Sequence, residues 1–255
     1  MTFPILISIR NTSSRLPGKC FVEIAGRPAV HRLVQRLLGA RGASGVVITT
    51  SSEQVDDGLE AAARTLGVRC VRGAAEDKLL RYAQAAEELE AEFVVIVDGD
   101  DVLADPAQID RIISSYRQSA EDGMPLDYVI VDELPTGATG FGVRVAALQR
   151  VLDLRNESDR EVWGAYFTAT GLFNVRRLQP DEERLRRADI RLTLDYPEDL
   201  ELLRSVLEHF DDESFGLGDV IAFLDEHPAI AAVNREAQQR YEANLASKAR
   251  PVKLG

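Results

Sequence analysis

Four short apolar runs alternate with amphipathic segments through the first hundred residues of the chain. The apolar runs are rich in Val and Ile and read FPILISI (3–9), GVVITTSS (45–52), VRCVRG (68–73) and EFVVIVDGDD (92–101). The segments between them carry apolar residues at helical spacing and read AVHRLVQRLLGA (29–40), VDDGLEAAARTLG (55–67) and DKLLRYAQAAEELEA (77–91). Strands that are joined through helices lie parallel, because right-handed crossovers connect them. The alternation therefore predicts an α/β fold with a doubly wound, mainly parallel sheet.

The second half of the chain is more mixed. It contains a strand pattern in DYVIVD (127–132), a strand followed by a helix in GFGVRVAALQRVLDL (140–154), and a further strand in TGLFNVRRL (170–178). PEDLELLRSVLEHF (197–210) begins with Pro, has two acids in its first turn and reads as a helix. The tail over 211–255 is predicted to be helical with a break at Pro228, and since no repeat or linker interrupts the chain we predict one domain.

Composition excludes several classes of function. The formal net charge is -12 over 255 residues, so nucleic acid and anionic membrane surfaces would be repelled except at a local basic spot. Two cysteines in apolar surroundings and three scattered histidines support neither a disulfide framework, nor a zinc site, nor a Ser-His-Asp triad. Without a membrane-spanning run or a signal-peptide pattern, the expected location is the cytoplasm.

One basic loop stands out in this acidic chain. RNTSSRLPGK, residues 10–19, follows the first predicted strand and places Arg10, Arg15 and Lys19 ahead of the first acid, Glu23. Ligands of doubly wound sheets bind beyond the carboxyl ends of the strands, and cations together with backbone amides suit a polyphosphate there. The loop matches neither the P-loop motif nor the dinucleotide-binding glycine motif. A solvated surface loop is the alternative interpretation.

Two further segments place carboxylates at strand ends. Asp98, Asp100 and Asp101 end the fourth predicted strand, where they could hold a divalent cation or simply cap the next helix. Asp195 precedes Pro197 in RLTLDYPEDLELL (191–203), and taken alone it reads as a helix cap, with Asp199 as a first-turn acid.

Taken together, these segments resemble the cytidylyltransferases that make CMP-activated acidic sugars. The basic loop is similar to the A-R-x-G-S-x-R-L-P-G-K loop of that family, and most closely to the SpsF-like branch related to the CMP-Kdo and CMP-nonulosonate synthetases. The resemblance continues, in order, through VRGAAEDKLLRYAQAA (71–86), VDGDDVLADPAQID (97–110), REVWGAYF (160–167), RLTLDYPEDLELL (191–203) and GLGDVIAFLDEHPAIAAVN (216–234). It implies a Rossmann-like sheet of the GT-A and nucleotidyltransferase type.

The resemblance also implies a reaction and a site. The chain would transfer CMP from CTP to an acidic sugar, a sugar or polyol phosphate, or a phosphonate, and would release pyrophosphate. Arg10, Lys19, Asp100 and Asp195 would be catalytic, with Asp100 and Asp195 holding Mg²⁺, and a hydroxyl acceptor would need a base such as Asp195 or a metal-bound water. The CTP contacts would come from Arg10, Ser13, Ser14, Arg15 and Lys19 around the triphosphate, and from Thr50, Ser51, Gly73 and Asp77 around the base and ribose.

The family also implies an organisation of the chain. A nucleotide-binding half would span 1–125, an acceptor-side half 126–210 and the helical tail 211–255, with homodimerisation through the second half. The nucleotide-side segments keep the family pattern better than the acceptor-side segments. The departures are Asn11 and Thr12 in the basic loop, Asp101 beside the metal position, Gly164 and Ala165, and Arg144 or its neighbours where an acid is expected. Cationic and aromatic residues that could recognise an anionic acceptor, although surface positions are the alternative for most of them, are Arg81, Arg144, Arg160 and Tyr166.

Two other classes of function remain open from the sequence. In a GT-A glycosyltransferase, Asp98 and Asp100 would form the D-x-D motif that holds the metal of a nucleotide sugar. The basic loop favours a triphosphate instead, because a triphosphate carries more charge to neutralise. A non-catalytic nucleotide-binding member of the family is the third interpretation, which Asp101 and Gly164 make conceivable.

Overall fold

The computed structural model describes residues 2–155, 163–210 and 212–248. Arg160 lies outside the described residues. The described strands are β1 Ile5–Ser8, β2 Glu23–Ile24, β3 Arg27–Pro28, β4 Val46–Ser51, β5 Arg69–Gly73, β6 Phe93–Asp98, β7 Tyr128–Val131, β8 Phe141–Arg144 and β9 Val175–Leu178. The described α-helices are α1 Ala29–Leu37, α2 Asp57–Leu66, α3 Lys78–Glu88, α4 Pro106–Glu121, α5 Val145–Leu154, α6 Ala165–Thr168, α7 Pro197–His209, α8 Leu217–Glu226, α9 Pro228–Ala231 and α10 Arg235–Lys248.

Seven of the described strands form one sheet in the order β5-β4-β1-β6-β8-β7-β9. The pairs β5–β4, β4–β1, β1–β6 and β7–β9 are parallel, and β8 runs antiparallel to both of its neighbours. The predicted mainly parallel sheet is thus confirmed, with β8 as the strand that reverses direction. The short β2–β3 hairpin, which the sequence patterns did not indicate, lies outside this sheet.

Helices cover both faces of the sheet, which confirms the doubly wound arrangement. In β1, Ile5 and Ile7 face the layer that contains apolar residues of α1, α2 and α4, whereas Leu6 faces the layer of α3 and α5. A strand buried on both faces reads as a continuous apolar run rather than an alternating one, as FPILISI does.

The helix α4 was missed by the sequence patterns, which treated its first residues only as the end of an acidic motif. Asp105 caps α4 by accepting hydrogen bonds from the backbone amides of Ala107 and Gln108, and Pro106 occupies the first helical turn. The described part of the tail is helical from Leu217 to Lys248, with a break before Pro228, as predicted. Within the described ranges, the structure contains no helix with the length and apolar character that crossing a membrane requires.

A separate apolar cluster supports the end of the chain. It joins α7 and α8 to the hairpin residue Ile24 and to Leu192 and Leu194 of the extended segment that precedes α7. Because these two leucines are buried, the residues that alternate with them, Thr193 and Asp195, are turned the other way. The cluster therefore determines where the Asp195 carboxylate lies.

Candidate active site

The basic loop and the acidic turn meet because β1 and β6 are neighbours. Ser8 pairs in register with Asp98 at the carboxyl ends of these parallel strands. The backbone amide of Gly99 donates a hydrogen bond to the Ser8 carbonyl, with an N···O distance of 2.8 Å. The chain therefore turns into the basic loop and into the 99–101 turn at the same place.

Gly99 allows this close approach. A Cβ at position 99 would overlap with the side chain of Ile9, which is buried and has no room to move. Gly99→Ala is therefore expected to lower the free energy of unfolding by about 1–3 kcal/mol, as overpacking does in tight sites. Thermal unfolding followed by circular dichroism measures this, with Gly216→Ala as the control, since a Cβ there meets its nearest neighbours at 3.7 and 3.8 Å. Equal midpoints for the two variants would contradict the prediction.

Asp195 also lies beside the 99–101 turn, although it comes from a distant part of the sequence. The backbone amide of Leu194 donates to the carbonyl of Asp100 at 2.9 Å, and that of Leu192 donates to the carbonyl of Thr136 at 2.7 Å. The extended segment is thereby attached to the 99–101 turn through its backbone. Two carboxylates that are 95 positions apart in the sequence are therefore held side by side.

Lys19 joins the two carboxylates. Its ammonium donates to Asp100 Oδ2 at 2.6 Å and to Asp195 Oδ1 at 2.9 Å. Burial by itself would lower the pKa of Lys19, but the two neighbouring carboxylates raise it above the usual range, so the side chain stays charged. A single cation can thus contact both carboxylates at once.

Asp195 is surrounded by cations. Arg15 donates to Oδ1 at 2.5 Å and Arg191 donates to Oδ2 at 3.1 Å, in addition to Lys19. Burial alone would raise the pKa of Asp195, yet Lys19 and Arg15 together lower it to about 2. A carboxylate of such low basicity is suited to holding a cation and is a weak proton acceptor, which disfavours Asp195 as the base that the sequence suggested.

Arg191 and Asp199 are buried groups that hold Asp195 in position. Arg191 is 2% exposed, and its Nε donates to Asp199 Oδ1 at 2.9 Å. Asp199 also accepts the backbone amides of Asp195 and Tyr196, both at 2.9 Å. Asp199, expected as a first-turn acid of α7, is therefore a fully buried group that holds the turn carrying Asp195.

These residues border an open cleft with a volume of about 570 Å³. The predicted site residues that line the cleft are Arg10, Ser13, Ser14, Arg15, Lys19, Asp100 and Asp195. Arg10 lies on one side, where it donates to the Ala75 carbonyl at 2.6 Å and to Glu76 at 3.1 Å. The structure thus brings the expected triphosphate and metal residues together.

The four residues expected around the base and ribose do not line this cleft. Thr50 and Ser51 are buried in β4, and Ser51 hydrogen-bonds Asp56. Gly73 ends β5, and a Cβ there would overlap with Gln84. Asp77 caps α3 and forms an ion pair with Arg155. All four lie towards the neighbouring ends of β4 and β5, and their contact with a base stays a prediction.

Three of the residues considered for acceptor recognition are described by the structure, and they lie in different environments. Arg81 lines the cleft and donates to the backbone carbonyls of Ala74 and Ala75. Arg144 lies outside the lining and pairs with Asp127 at 2.8 Å. Tyr166 is buried in the apolar layer of α3 and α5, so its expected role in acceptor recognition is not supported by its position.

The departures at Asp101 and Gly164 have structural explanations. Burial and the nearby carboxylates of Asp100 and Asp98 raise the pKa of Asp101 well above its usual range, which favours the neutral form of this extra acid. A Cβ at Gly164 would lie 2.8 Å from the hydroxyl of Tyr128, so the small residue makes room for that ring. Neither departure removes a cleft residue that carries charge.

Sequence reasoning missed several cleft residues, among them Lys78, Tyr241 and Asn244. Lys78 lies in the segment 71–86 that resembles the family, at a position where the family pattern has Val, and this difference was the available signal. Burial would lower the pKa of Lys78, but Asp98 opposite raises it overall. Within the described ranges, the Lys78 ammonium has no hydrogen bond or ion pair. Tyr241 and Asn244 belong to α10 and are not part of any sequence motif.

The donor set is consistent with one hard divalent cation that shares its ligands with a substrate. The described residues include no cluster of three or more metal-ligating side chains. They do include the Asp100 and Asp195 carboxylates on a common ammonium, and Mg²⁺ in nucleotide sites is often held by one or two carboxylates plus phosphates. These two residues fit Mg²⁺ bound together with a nucleotide.

Solved structures with the same fold include nucleotide-dependent synthetases. A cytidylyltransferase from Leptospira borgpetersenii superposes with a TM-score of 0.82 at 24% identity, covering 91% of this chain and 97% of that one. A CMP:2-keto-3-deoxy-manno-octonic acid synthetase in complex with CTP gives 0.64 at 17% identity, covering 82% and 99%. These likenesses confirm the nucleotidyltransferase-like α/β fold.

Sequence relatives give the family. The spore coat polysaccharide biosynthesis protein SpsF of Bacillus subtilis is 28% identical over 240 residues, covering 91% of this chain and 97% of the relative. A 3-deoxy-manno-octulosonate cytidylyltransferase of Geobacter sulfurreducens is 35% identical over 121 residues, about half of each chain (47%). The family model described as cytidylyltransferase matches residues 5–240. The chain therefore belongs to the cytidylyltransferase family and is a nucleotidyltransferase.

Proposed function

We propose that this chain transfers CMP from CTP to an oxygen of a small anionic acceptor and releases pyrophosphate. The acceptor would be an acidic sugar, a sugar or polyol phosphate, or a phosphonate. The observation that carries the proposal is the Lys19 ammonium between Asp100 and Asp195, at the carboxyl edge of β1 and β6. Such a group of charges has little use in a protein that binds only neutral ligands.

The basic loop supplies what a triphosphate needs. Arg10, Arg15 and Lys19 line the cleft on one side, and the Ser13 hydroxyl lies among them. Arg15 and Lys19 are both paired with Asp195. Arg15 and Lys19 would contact the phosphates if Asp100 and Asp195 shared their charge with a divalent cation. They would stabilise the charge that develops on the leaving pyrophosphate.

Asp100 and Asp195 would hold Mg²⁺, which supplies charge neutralisation at the α-phosphate when it is bound. The protein's own contribution is positioning: Gly99 and the Leu194–Asp100 backbone bond place both carboxylates, and Arg191 with Asp199 prevents Asp195 from turning away. An anionic phosphate or phosphonate oxygen would attack without a base. The low pKa of Asp195 makes such an acceptor compatible with a site that lacks a strong base.

Lys78 is the group that would neutralise the acid of the acceptor. Its ammonium lines the cleft opposite Asp98, and it has no ion-pair partner among the described residues. The other cleft cations Arg15 and Lys19 are committed to carboxylates. A charged lysine that is largely desolvated gains most from an anionic ligand, since none of its own neighbours bonds to it directly.

The first test of the function is ligand binding followed by turnover. Thermal unfolding is measured with CTP, UTP, ATP and GTP, each with and without Mg²⁺, and with UDP-glucose and GDP-mannose. A rise in the midpoint selective for CTP with Mg²⁺ supports the proposal, because a ligand of the folded state stabilises it by mass action. Pyrophosphate release is then measured with 3-deoxy-manno-octulosonate, sialic acid, a polyol phosphate and a phosphonate.

The same experiment separates the alternatives. A shift with a nucleotide sugar but not with CTP would indicate a glycosyltransferase, as the D-x-D interpretation of Asp98 and Asp100 requires. Binding of CTP without turnover of any acceptor would indicate a non-catalytic member. Homodimerisation through 126–210 remains a prediction, which light scattering of the full chain measures.

Lys78→Met is expected to raise the KM for the acceptor about tenfold to a hundredfold, since a hydrogen bond to a charged group is worth about 1.5–3 kcal/mol. The Kd for CTP, measured by calorimetry, should change little, and Lys78→Arg should restore much of the acceptor affinity. If Lys78→Met instead weakens CTP binding as strongly as acceptor use, Lys78 belongs to the nucleotide side and the assignment is wrong.

A further inference from the structure

The last described helix, α10, runs beside the cleft. Its residues Tyr241 and Asn244 are among those that line it. The match of the cytidylyltransferase family model ends at residue 240, within α10, so both residues follow the matched span. The end of α10 thus contributes surface to the active site.

Several polar contacts attach α10 to the residues around Asp195. Asn234, just before the helix and 2% exposed, donates to Asp199 Oδ1 at 2.9 Å and to the Arg191 carbonyl at 3.0 Å. Gln238 accepts from Arg191 at 3.2 Å, and Arg240 pairs with Glu198 of α7 at 2.6 Å. Asn234 is buried and doubly bonded, so the start of α10 has a defined position.

Tyr241 lies directly beside this support. The Arg191 guanidinium carbon is 4.9 Å from the centre of the Tyr241 ring, within the range of a cation–π contact. The same Arg191 binds Asp195 at 3.1 Å. The Tyr241 ring is therefore one side chain away from a carboxylate assigned to the metal.

The cleft lining also contains neutral polar groups. Besides Tyr241 and Asn244, it includes the hydroxyls of Thr136, Thr139 and Thr193. The Thr139 hydroxyl is buried and has no hydrogen-bond partner among the described residues. Neutral donors and acceptors next to an aromatic ring suit a hydroxyl-bearing carbon skeleton, whereas the charged groups suit phosphates.

We propose that α10 forms the acceptor-facing wall of the active site, with Tyr241 as a specificity-determining residue that contacts the polyhydroxylated skeleton of the acceptor. The proposal rests on the function proposed above and deepens it. It locates part of the acceptor choice in the last described helix, of which the family model matches only the first residues, up to 240. Tyr241 would select by ring packing and by one hydroxyl hydrogen bond, while the transferred group is handled by the charged residues.

Kinetics of Tyr241 variants test the proposal. Tyr241→Ala is expected to raise the KM for the best acceptor about tenfold, to reduce the preference among acceptors and to leave the Kd for CTP unchanged, because a lost hydrogen bond and ring contact cost about 1–2 kcal/mol. Gln239→Ala, at an exposed position of the same helix, is the matched control and should behave as the wild type. An unchanged acceptor profile, or a loss confined to CTP affinity, would overturn the assignment.

A second measurement does not depend on turnover. In Tyr241→Cys, maleimide labelling at position 241 is followed by mass spectrometry, which distinguishes it from Cys20 and Cys70. CTP with Mg²⁺ plus 3-deoxy-manno-octulosonate or sialic acid, each at about ten times its Kd, should slow labelling about tenfold, and CTP with Mg²⁺ alone should not. Equal labelling in all conditions overturns the α10 assignment. Absence of pyrophosphate release by the wild type counts instead against the proposed function.

Discussion

Lys19→Ala should lower kcat for CMP transfer by about three orders of magnitude, the upper end of what removal of one preorganised charge costs in enzymes. The ammonium of Lys19 contacts both Asp100 and Asp195 and lines the cleft beside Arg10 and Arg15. Without it, two carboxylates face each other with less compensation, and the phosphates lose the closest cation. Pyrophosphate release measures the effect.

The controls for Lys19 separate charge from folding. Arg69→Ala removes an exposed cation that pairs with Glu88 away from the cleft, and it should retain wild-type turnover. Lys19→Arg keeps the charge with a different shape and is expected to recover part of the rate. Turnover of Lys19→Ala within tenfold of the wild type would mean that this ammonium is a structural counter-charge only.

Asp100→Asn is expected to abolish turnover and to remove the Mg²⁺ dependence of CTP binding. The substitution keeps the size of the side chain but takes away the negative charge that a hard cation requires. Among the described residues Asp100 bonds through its side chain to Lys19 alone, so the fold should tolerate the change better than a change at Asp195, which has three cationic partners. Calorimetric titration of CTP with and without Mg²⁺ measures the loss.

Two comparisons make the Asp100 result decisive. Asp153→Asn alters an exposed carboxylate whose hydrogen-bond partner among the described residues is Gln149, and this variant should bind CTP as the wild type does. The thermal midpoint of Asp100→Asn without ligand should stay near that of the wild type. An active Asp100→Asn enzyme would refute the assignment of Asp100 to the metal and would leave Asp195 as the remaining carboxylate on Lys19.

The order of strands and helices in the first half was readable from the sequence. Residues buried on both faces of a parallel sheet form short continuous apolar runs, and the helices between them have a clear apolar face. The strand order was not readable, because apolar periodicity contains no information on which strand pairs with which. The position of β8 between β6 and β7, antiparallel to both, is therefore known only from the tertiary structure.

The site residues also fall into two groups, those that the sequence indicated and those that only the structure revealed. Arg10, Lys19, Asp100 and Asp195 could be named because their segments resemble those of a known family. Lys78 and Tyr241 were not named, since each lies in a helix without a functional motif and reaches the cleft only through the packing of that helix. The helix α4 was not predicted for a related reason. The acids before it were interpreted as a metal motif, so the helix cap among them was overlooked.

The sequence by itself determined the class of fold and the position of the basic loop, because local periodicity depends on residues that are close in the chain. Asp100 and Asp195 were indicated by the resemblance to the family, since Asp195 taken alone reads as a helix cap. Only the tertiary structure decided that Lys19 joins Asp100 to Asp195 and that α10 borders the cleft. The contact between Lys19 and Asp195 joins residues that are 176 positions apart, and packing of the whole chain is what brings such residues together.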